Sequence, residues 1–191
     1  VTSVDSNGYE SSASFQITAQ PHFQGPKWYV DTDNGSAFGE GSPEEPMRDI
    51  QDGIDAAEEG DTVLVLPGTY DRNDDQNLKF EYTSNNSPKH IVLMSRGGPD
   101  STIIDCEGSE SAFDISSATD TTLQIIGFKI INGWSQNAFM GSAITILSFS
   151  EGESKAVFKN CIIEDGDGYG PAVNIRGGTG IFRDCVVRNN R

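Results

Sequence analysis

Basic side chains are scarce in this chain: 13 Lys and Arg stand against 29 Asp and Glu, for a formal net charge of −16. Phosphate recognition needs clustered cations, so nucleic acid is excluded as an expected partner. The acidic excess favours solubility and could hold divalent cations. Long apolar runs are missing as well, and no membrane span is expected. The first residues lack a basic-then-apolar leader, which fits either a cytosolic chain or one whose leader lies outside these residues.

Cysteine is nearly absent. Three thiols cannot all pair within one chain, and none lies in a C-x-x-C arrangement. Cys161 and Cys185 fall at equivalent places in a repeat and are expected to pack as small apolar groups, a disulfide being the alternative. Cys106 carries no signal. The two histidines, His22 and His90, lie far apart in loop-like contexts, and no nucleophile-elbow motif is present.

What the chain has is repetition. Ser111-Ala-Phe-Asp-Ile115, Ser142-Ala-Ile-Thr-Ile146 and Pro171-Ala-Val-Asn-Ile175 form one column, their alanines 31 and 29 residues apart. Ile125-Ile-Gly-Phe-Lys-Ile-Ile-Asn-Gly133, Phe158-Lys-Asn-Cys-Ile-Ile-Glu-Asp-Gly166 and Phe182-Arg-Asp-Cys-Val-Val-Arg-Asn-Asn190 form a second, offset by 33 and 24 residues. Apolar residues alternate over short runs between clusters of Gly, Asn, Asp and Ser, which predicts strands. Units this short must stack, and parallel coils about 4.8 Å apart align equivalent residues into ladders. The expected ladders are Ile125/Phe158/Phe182, Phe128/Cys161/Cys185 and Ile130/Ile163/Val187. Without a Leu-rich consensus or a helix in each repeat, an all-β parallel β-helix fits better than a leucine-rich repeat.

Three segments are expected in order. Residues 1–20 read as a hairpin about Ser6-Asn-Gly8, with Ser12-Ala-Ser-Phe-Gln-Ile-Thr18 as its second strand. They resemble the end of an immunoglobulin-like module. Residues 21–27 read as a linker, and 28–191 as the solenoid. Its start holds a strand at Trp28 and then a helix with Pro46 in its first turn, Met47, Ile50, Ile54 and Ala57 on one face, and Gly60 at its end. The following Gly60-Asp-Thr-Val-Leu-Val-Leu-Pro-Gly-Thr-Tyr70 reads as a buried strand ending in a Pro-Gly turn, with further strands at Leu78–Phe80, Ile91–Met94 and Thr102–Ile104.

The order Trp28-Tyr-Val-Asp-Thr-Asp33, Met47-Arg-Asp-Ile-Gln-Asp-Gly-Ile-Asp-Ala-Ala57 and Gly60-Asp-Thr-Val-Leu-Val-Leu-Pro-Gly-Thr-Tyr70 resembles the start of right-handed parallel β-helix proteins of the pectin-lyase-like superfamily. The resemblance spans about residues 28–191 and implies that the helix caps the N-terminal end of the solenoid. It does not fix function, since such scaffolds serve as lyases, hydrolases, adhesins and stalks. The superfamily's enzymes for acidic polysaccharides use a basic proton acceptor beside calcium-binding carboxylates. This chain has neither the Arg-x-Pro-x-x-Arg segment of one pectate lyase group nor the Asn-Thr-Asp, Asp-Asp and Gly-His-Gly set of polygalacturonases, so no catalytic residue is assigned.

Ligand-binding candidates follow from the register. Lys159 and Arg183 should point outward one coil apart, as should Glu164 and Arg188; they suit an anionic sugar, or simply balance neighbouring carboxylates. Asp114, Thr145 and Asn174 form an outward polar column, with Trp134, Phe139 and Tyr169 in loops that could flank it. Polar groups beside aromatic platforms are what sugar binding requires. Calcium is the one cofactor suggested. Asp31 and Asp33 alternate before Gly35, and Asp165 and Asp167 lie in a second acidic turn, although neither is an EF-hand; Asp71-Arg-Asn-Asp-Asp75 is a third such turn, and the plainer reading of each is a solvated turn.

The expected role is therefore an extracellular or cell-surface β-helix module that is structural or ligand-binding, toward polysaccharide or neighbouring copies of itself. The alternative is a calcium-dependent polysaccharide lyase. With a helix at one end of the solenoid and no cap at Arg191, further coils or a partner are expected at the C-terminal end.

Overall fold

The structure, a computed structural model, describes residues 26–80, 89–116, 123–148 and 154–191. The hairpin expected over residues 1–20 and most of the 21–27 linker lie outside the described residues.

Strand β1 (Lys27–Val30) opens the solenoid, and helix α1 (Ile50–Ala56) follows. The next coil holds β2 (Thr62–Val65), β3 (Gly68–Tyr70) and β4 (Leu78–Lys79), with a 3-10 turn at Asn73–Asp75. A third has β5 (Val92–Ser95), β6 (Thr102–Asp105) and β7 (Phe113–Ile115). The fourth has β8 (Gln124–Ile126), β9 (Lys129–Ile131), β10 (Trp134–Ser135) and β11 (Ile144–Leu147). The fifth has β12 (Lys155–Lys159), β13 (Ile162–Glu164), β14 (Asp167–Gly168) and β15 (Val173–Arg176), and the last β16 (Thr179–Arg183) and β17 (Val186–Arg188).

Among the described residues every strand pairs in parallel with its equivalent one coil away, giving sheets of six, five and four strands and a short two-stranded one. The chain is thus a parallel β-solenoid of about four turns. The Ile125/Phe158/Phe182 and Ile130/Ile163/Val187 ladders are present and longer than the repeats alone indicate, while Phe128, Cys161 and Cys185 lie at the bends, where the Ile162 N–H donates to the Phe128 carbonyl and the Val186 N–H to the Cys161 carbonyl, both at 2.9 Å. The first runs Trp28, Val63, Leu93, Ile125, Phe158, Phe182. The one on the five-stranded sheet runs Tyr70, Ile104, Ile130, Ile163, Val187. Phe158 stacks on Phe182 at 4.9 Å between ring centroids and meets Phe113 edge-on at 6.0 Å. Fully burying each such side chain contributes about 1.5–3 kcal/mol, so the interior ladders hold the coils together.

Coils superpose only if their bends do. In the last three bends between the six- and five-stranded sheets there is one left-handed residue each, Gly127 (φ 82°), Asn160 (φ 49°) and Asp184 (φ 54°). A second such set, Asn132, Asp165 and Asn189, follows the five-stranded sheet. Asn, Asp and Gly are the residues that tolerate this conformation, which accounts for their recurrence in the sequence.

The helix is shorter than expected. Pro46 and Met47 precede it, and Met47 instead bridges to Val30 and Ser36 as extended chain. Met47, Ile50, Ile54 and Ala57 are nevertheless all buried together. Helix α1 lies so close to the first two strands that a Cβ on Gly53 would come within 2.7 Å of Val30 Cγ2 and 2.9 Å of Val63 Cγ1. Lys89, itself buried, donates to the carbonyls of Ile54 at 2.7 Å and Asp55 at 2.8 Å, closing the helix C-terminus. At the opposite end of the solenoid, Ile175, Val186 and Val187 of the last strands are exposed. Among the described residues no helix is long and apolar enough to cross a membrane.

Candidate functional site: a polar groove beside the capping helix

Helix α1 and the 3-10 turn stand beside the four-stranded sheet β4-β7-β11-β15 and enclose a cavity of about 420 Å³. Gln51 fixes this wall. Its Nε2 donates to Asp55 Oδ1 at 2.8 Å and to the Lys79 carbonyl at 3.1 Å, while its Oε1 accepts the Lys79 N–H at 3.0 Å. One glutamine thereby satisfies the edge of β4 and holds it to the helix. Asp55, Asn73, Asp74, Gln76, Asn77, Lys79 and Glu110 complete the lining. Gln76 donates to the carbonyls of Asp71 and Asp105 and accepts from the Ser109 hydroxyl at 3.1 Å, so it braces successive coils.

A smaller cavity of about 180 Å³ shares Asn77 and Glu110 with the first and extends the groove past Asp114 to Trp134, Ser135, Gln136 and Met140. Asn77 stands at the junction in the left-handed conformation (φ 52°), its N–H donating to the Ser111 carbonyl at 2.6 Å. Burial raises the Asp114 carboxyl above its ordinary value, opposed by Lys79 and by a hydrogen bond with Ser116. The groove as a whole offers amides, carboxylates, hydroxyls and one indole.

The outward column is in the expected register, Asp114 beside Thr145 beside Asn174, and Lys79 precedes it. Its members differ in availability. Asp114 lines the groove, whereas Thr145 is fully buried and its Oγ1 accepts the Gly141 N–H at 2.9 Å. Trp134 belongs to β10, where it pairs with Asp167, rather than to a free loop. Tyr169 is 79% exposed, and Phe139, also exposed, carries the Arg176 guanidinium 4.9 Å from its ring centroid.

Lys159 and Arg183 are register neighbours, yet Lys159 Nζ donates to Gln124 Oε1 at 2.7 Å on the six-stranded sheet, away from the groove. Glu164 and Arg188 pair across coils at 2.6 Å, and Lys129 joins the same carboxylate. Lys129 first and Arg188 second hold the Glu164 carboxyl below its ordinary value. Cys106 and Cys161 are buried free thiols raised to about 12 and about 11 by burial, and Cys185 is free as well.

The acidic turns are largely occupied by their own backbone. Asp31 Oδ1 accepts the N–H groups of Asp33 at 3.0 Å and Asn34 at 3.1 Å, and Oδ2 accepts from the Asn34 amide at 3.0 Å. Asp167 accepts the Gly168 N–H at 2.7 Å. Asp165 and Asp167 line open cavities, one of them shared with Asp105 and Glu107. Among the described residues no group of three or more His, Cys, Asp or Glu is arranged to hold a metal.

Gln51, Asp55, Lys79 and Glu110 were not singled out by the sequence, and Asn73 and Asp74 were named only as part of an acidic turn. They come from three different coils, and no local spacing joins them; only Asp114 and Trp134 of the groove were legible as ligand-binding candidates. Comparison with protein-family models, with curated protein sequences and with solved structures finds no match to this chain.

Proposed function

We propose that this chain is a glycan-binding β-helix module of a secreted or cell-surface protein, built on the scaffold type of the pectin-lyase-like superfamily, and that the glycan lies in the groove beside the capping helix. The observation that carries this reading is the groove's lining: Asn73, Asn77, Glu110 and Asp114 bring side-chain amides and carboxylates to it, and Trp134 lies at its far end. Sugars are recognised by such polar groups converging beside an aromatic surface. Binding without turnover is the expected behaviour. The calcium-dependent lyase reading finds less support, because Lys159 is engaged by Gln124 and the Asp31 carboxylate is engaged by its own turn.

The test is a glycan-array screen of the chain followed by titration of the best hit. The expected result is a hit whose affinity falls at least tenfold in both Trp134→Ala and Glu110→Gln. Absence of any hit, or a hit indifferent to both substitutions, would remove the reading.

A further inference from the structure

The chain carries 29 Asp and Glu against 13 Lys and Arg, yet the outward positions of the six-stranded sheet hold no carboxylate. Alternation along these strands turns Trp28, Val63, Leu93 and Ile125 inward, where they are buried, and turns their neighbours out. One outward ladder runs Tyr29, Leu64, Met94, Ile126, Lys159, Arg183. A second, two residues earlier on each strand, starts at Lys27 and includes Val92, Val157 and Ile181. Tyr29, Leu64, Met94 and Ile126 are only half-buried. Helix α1 meets this sheet at the inward Val30 and Val63. Parallel sheets with apolar residues on both faces are ordinarily covered on both, and a contiguous outward apolar patch marks a contact surface.

The first ladder has a direction. Its members are apolar through Ile126 and cationic at Lys159 and Arg183. An occupant must therefore be apolar along most of its length and must offer an aromatic ring or a carboxylate to the cations. The same face of a second copy does so when the two solenoid axes run antiparallel. Met94 and Ile126, at the middle of the ladder, then lie across from each other. Lys159 and Arg183 of each copy stand over Leu64 and Tyr29 of the other, and Asp33, exposed just past β1, lies at that same end. A guanidinium is attracted both to an aromatic face and to a carboxylate. With the axes parallel, cations would meet cations.

We propose that the outer face of the six-stranded sheet is a two-fold interface between two copies of this chain, packed with their solenoid axes antiparallel. Such an interface is self-complementary, as two-fold contacts require. Six strands of four residues give a flat footprint of about 29 Å by 13 Å. That is smaller than the roughly 800 Å² per partner of a standard interface, so the dimer is a weak, reversible one. The glycan groove, beside the four-stranded sheet, is not part of this face.

The experiment is sedimentation equilibrium of the full chain from about 10 µM to about 1 mM, the range in which a weak dimer is populated. A reversible monomer–dimer equilibrium is expected. Ile126→Glu, checked for an unchanged melting temperature, should weaken it at least tenfold. Ile103→Glu makes the same change at an outward position of the five-stranded sheet and should leave it in place. If Ile126→Glu does not fold, Met94→Lys tests the same face. Arg183→Gln should weaken the dimer at least threefold, because the antiparallel arrangement places that cation on an attractive partner; a strengthened dimer would overturn the arrangement. A monomer at every concentration, or association indifferent to the folded face variant, would overturn the proposal.

Discussion

Asp75 Oδ1 accepts the backbone N–H of Ile50 at 2.8 Å, so the helix that closes the first coil is capped by a carboxylate from the following coil's turn. The residue at the helix's own N-cap, Asp49, makes no capping bond and pairs with Arg48 at 2.8 Å. Two parts of the chain that are 25 residues apart are thereby joined at a fully buried group.

That burial has a pH signature. Removal from solvent is the main cause pushing the Asp75 carboxyl from 3.8 up to about 6, with the Ile50 N–H opposing it and Asp49 adding to it. The folded chain therefore holds this proton at a pH where the unfolded chain has released it. The resulting stabilisation is complete below the unfolded value, shrinks as pH rises, and is gone above about 6. Asp75→Asn cannot titrate. The stability of the native chain minus that of the variant should fall by about 2–3 kcal/mol between pH 4 and pH 7. Denaturant unfolding across that range measures it, and a constant difference would refute the assignment.

Inward and outward neighbours on one strand should behave oppositely. Phe158 is fully buried between Phe113 and Phe182, and Lys159, next to it, faces outward. Phe158→Ala is expected to cost about 3–5 kcal/mol, and Lys159→Ala less than about 0.5 kcal/mol. Equal melting temperatures would contradict the register.

Gly53 gives a case where propensity and packing disagree. Alanine would improve the helix by about 1 kcal/mol on propensity alone. Here its Cβ would press on Val30 and Val63 at 2.7 Å and 2.9 Å, and overpacking of that kind costs about 1–3 kcal/mol. Gly53→Ala should therefore destabilise the chain in chemical unfolding. A stabilised variant would show that the helix rests less tightly on the first coil.

The repeating half of the fold was legible because ladder residues recur in sequence. Ile125, Phe158 and Phe182 sit in one register and in one sequence column alike. The short bends could be inferred from Asn and Asp, which take the left-handed conformation at Asn160 and Asp184. The helix boundary was not, because Pro46 suits a first turn locally while the Val30 and Ser36 partners of Met47 keep that stretch extended. Thr145 looked open from its place in an outward column, and the Gly141 loop that covers it has no counterpart in the pattern. The groove itself arises where the helix meets turns from later coils, a juxtaposition that exists only after the coils stack.

The most direct test of the account is a backbone and indole amide map of the chain by nuclear magnetic resonance, followed as the glycan-array hit is titrated in. Shifts are expected at Asn77, Glu110, Asp114 and the Trp134 indole N–H, with the six-stranded face around Lys159 and Arg183 unmoved. A spectrum unchanged at saturating ligand, or shifts centred on Lys159 and Arg183, would contradict it.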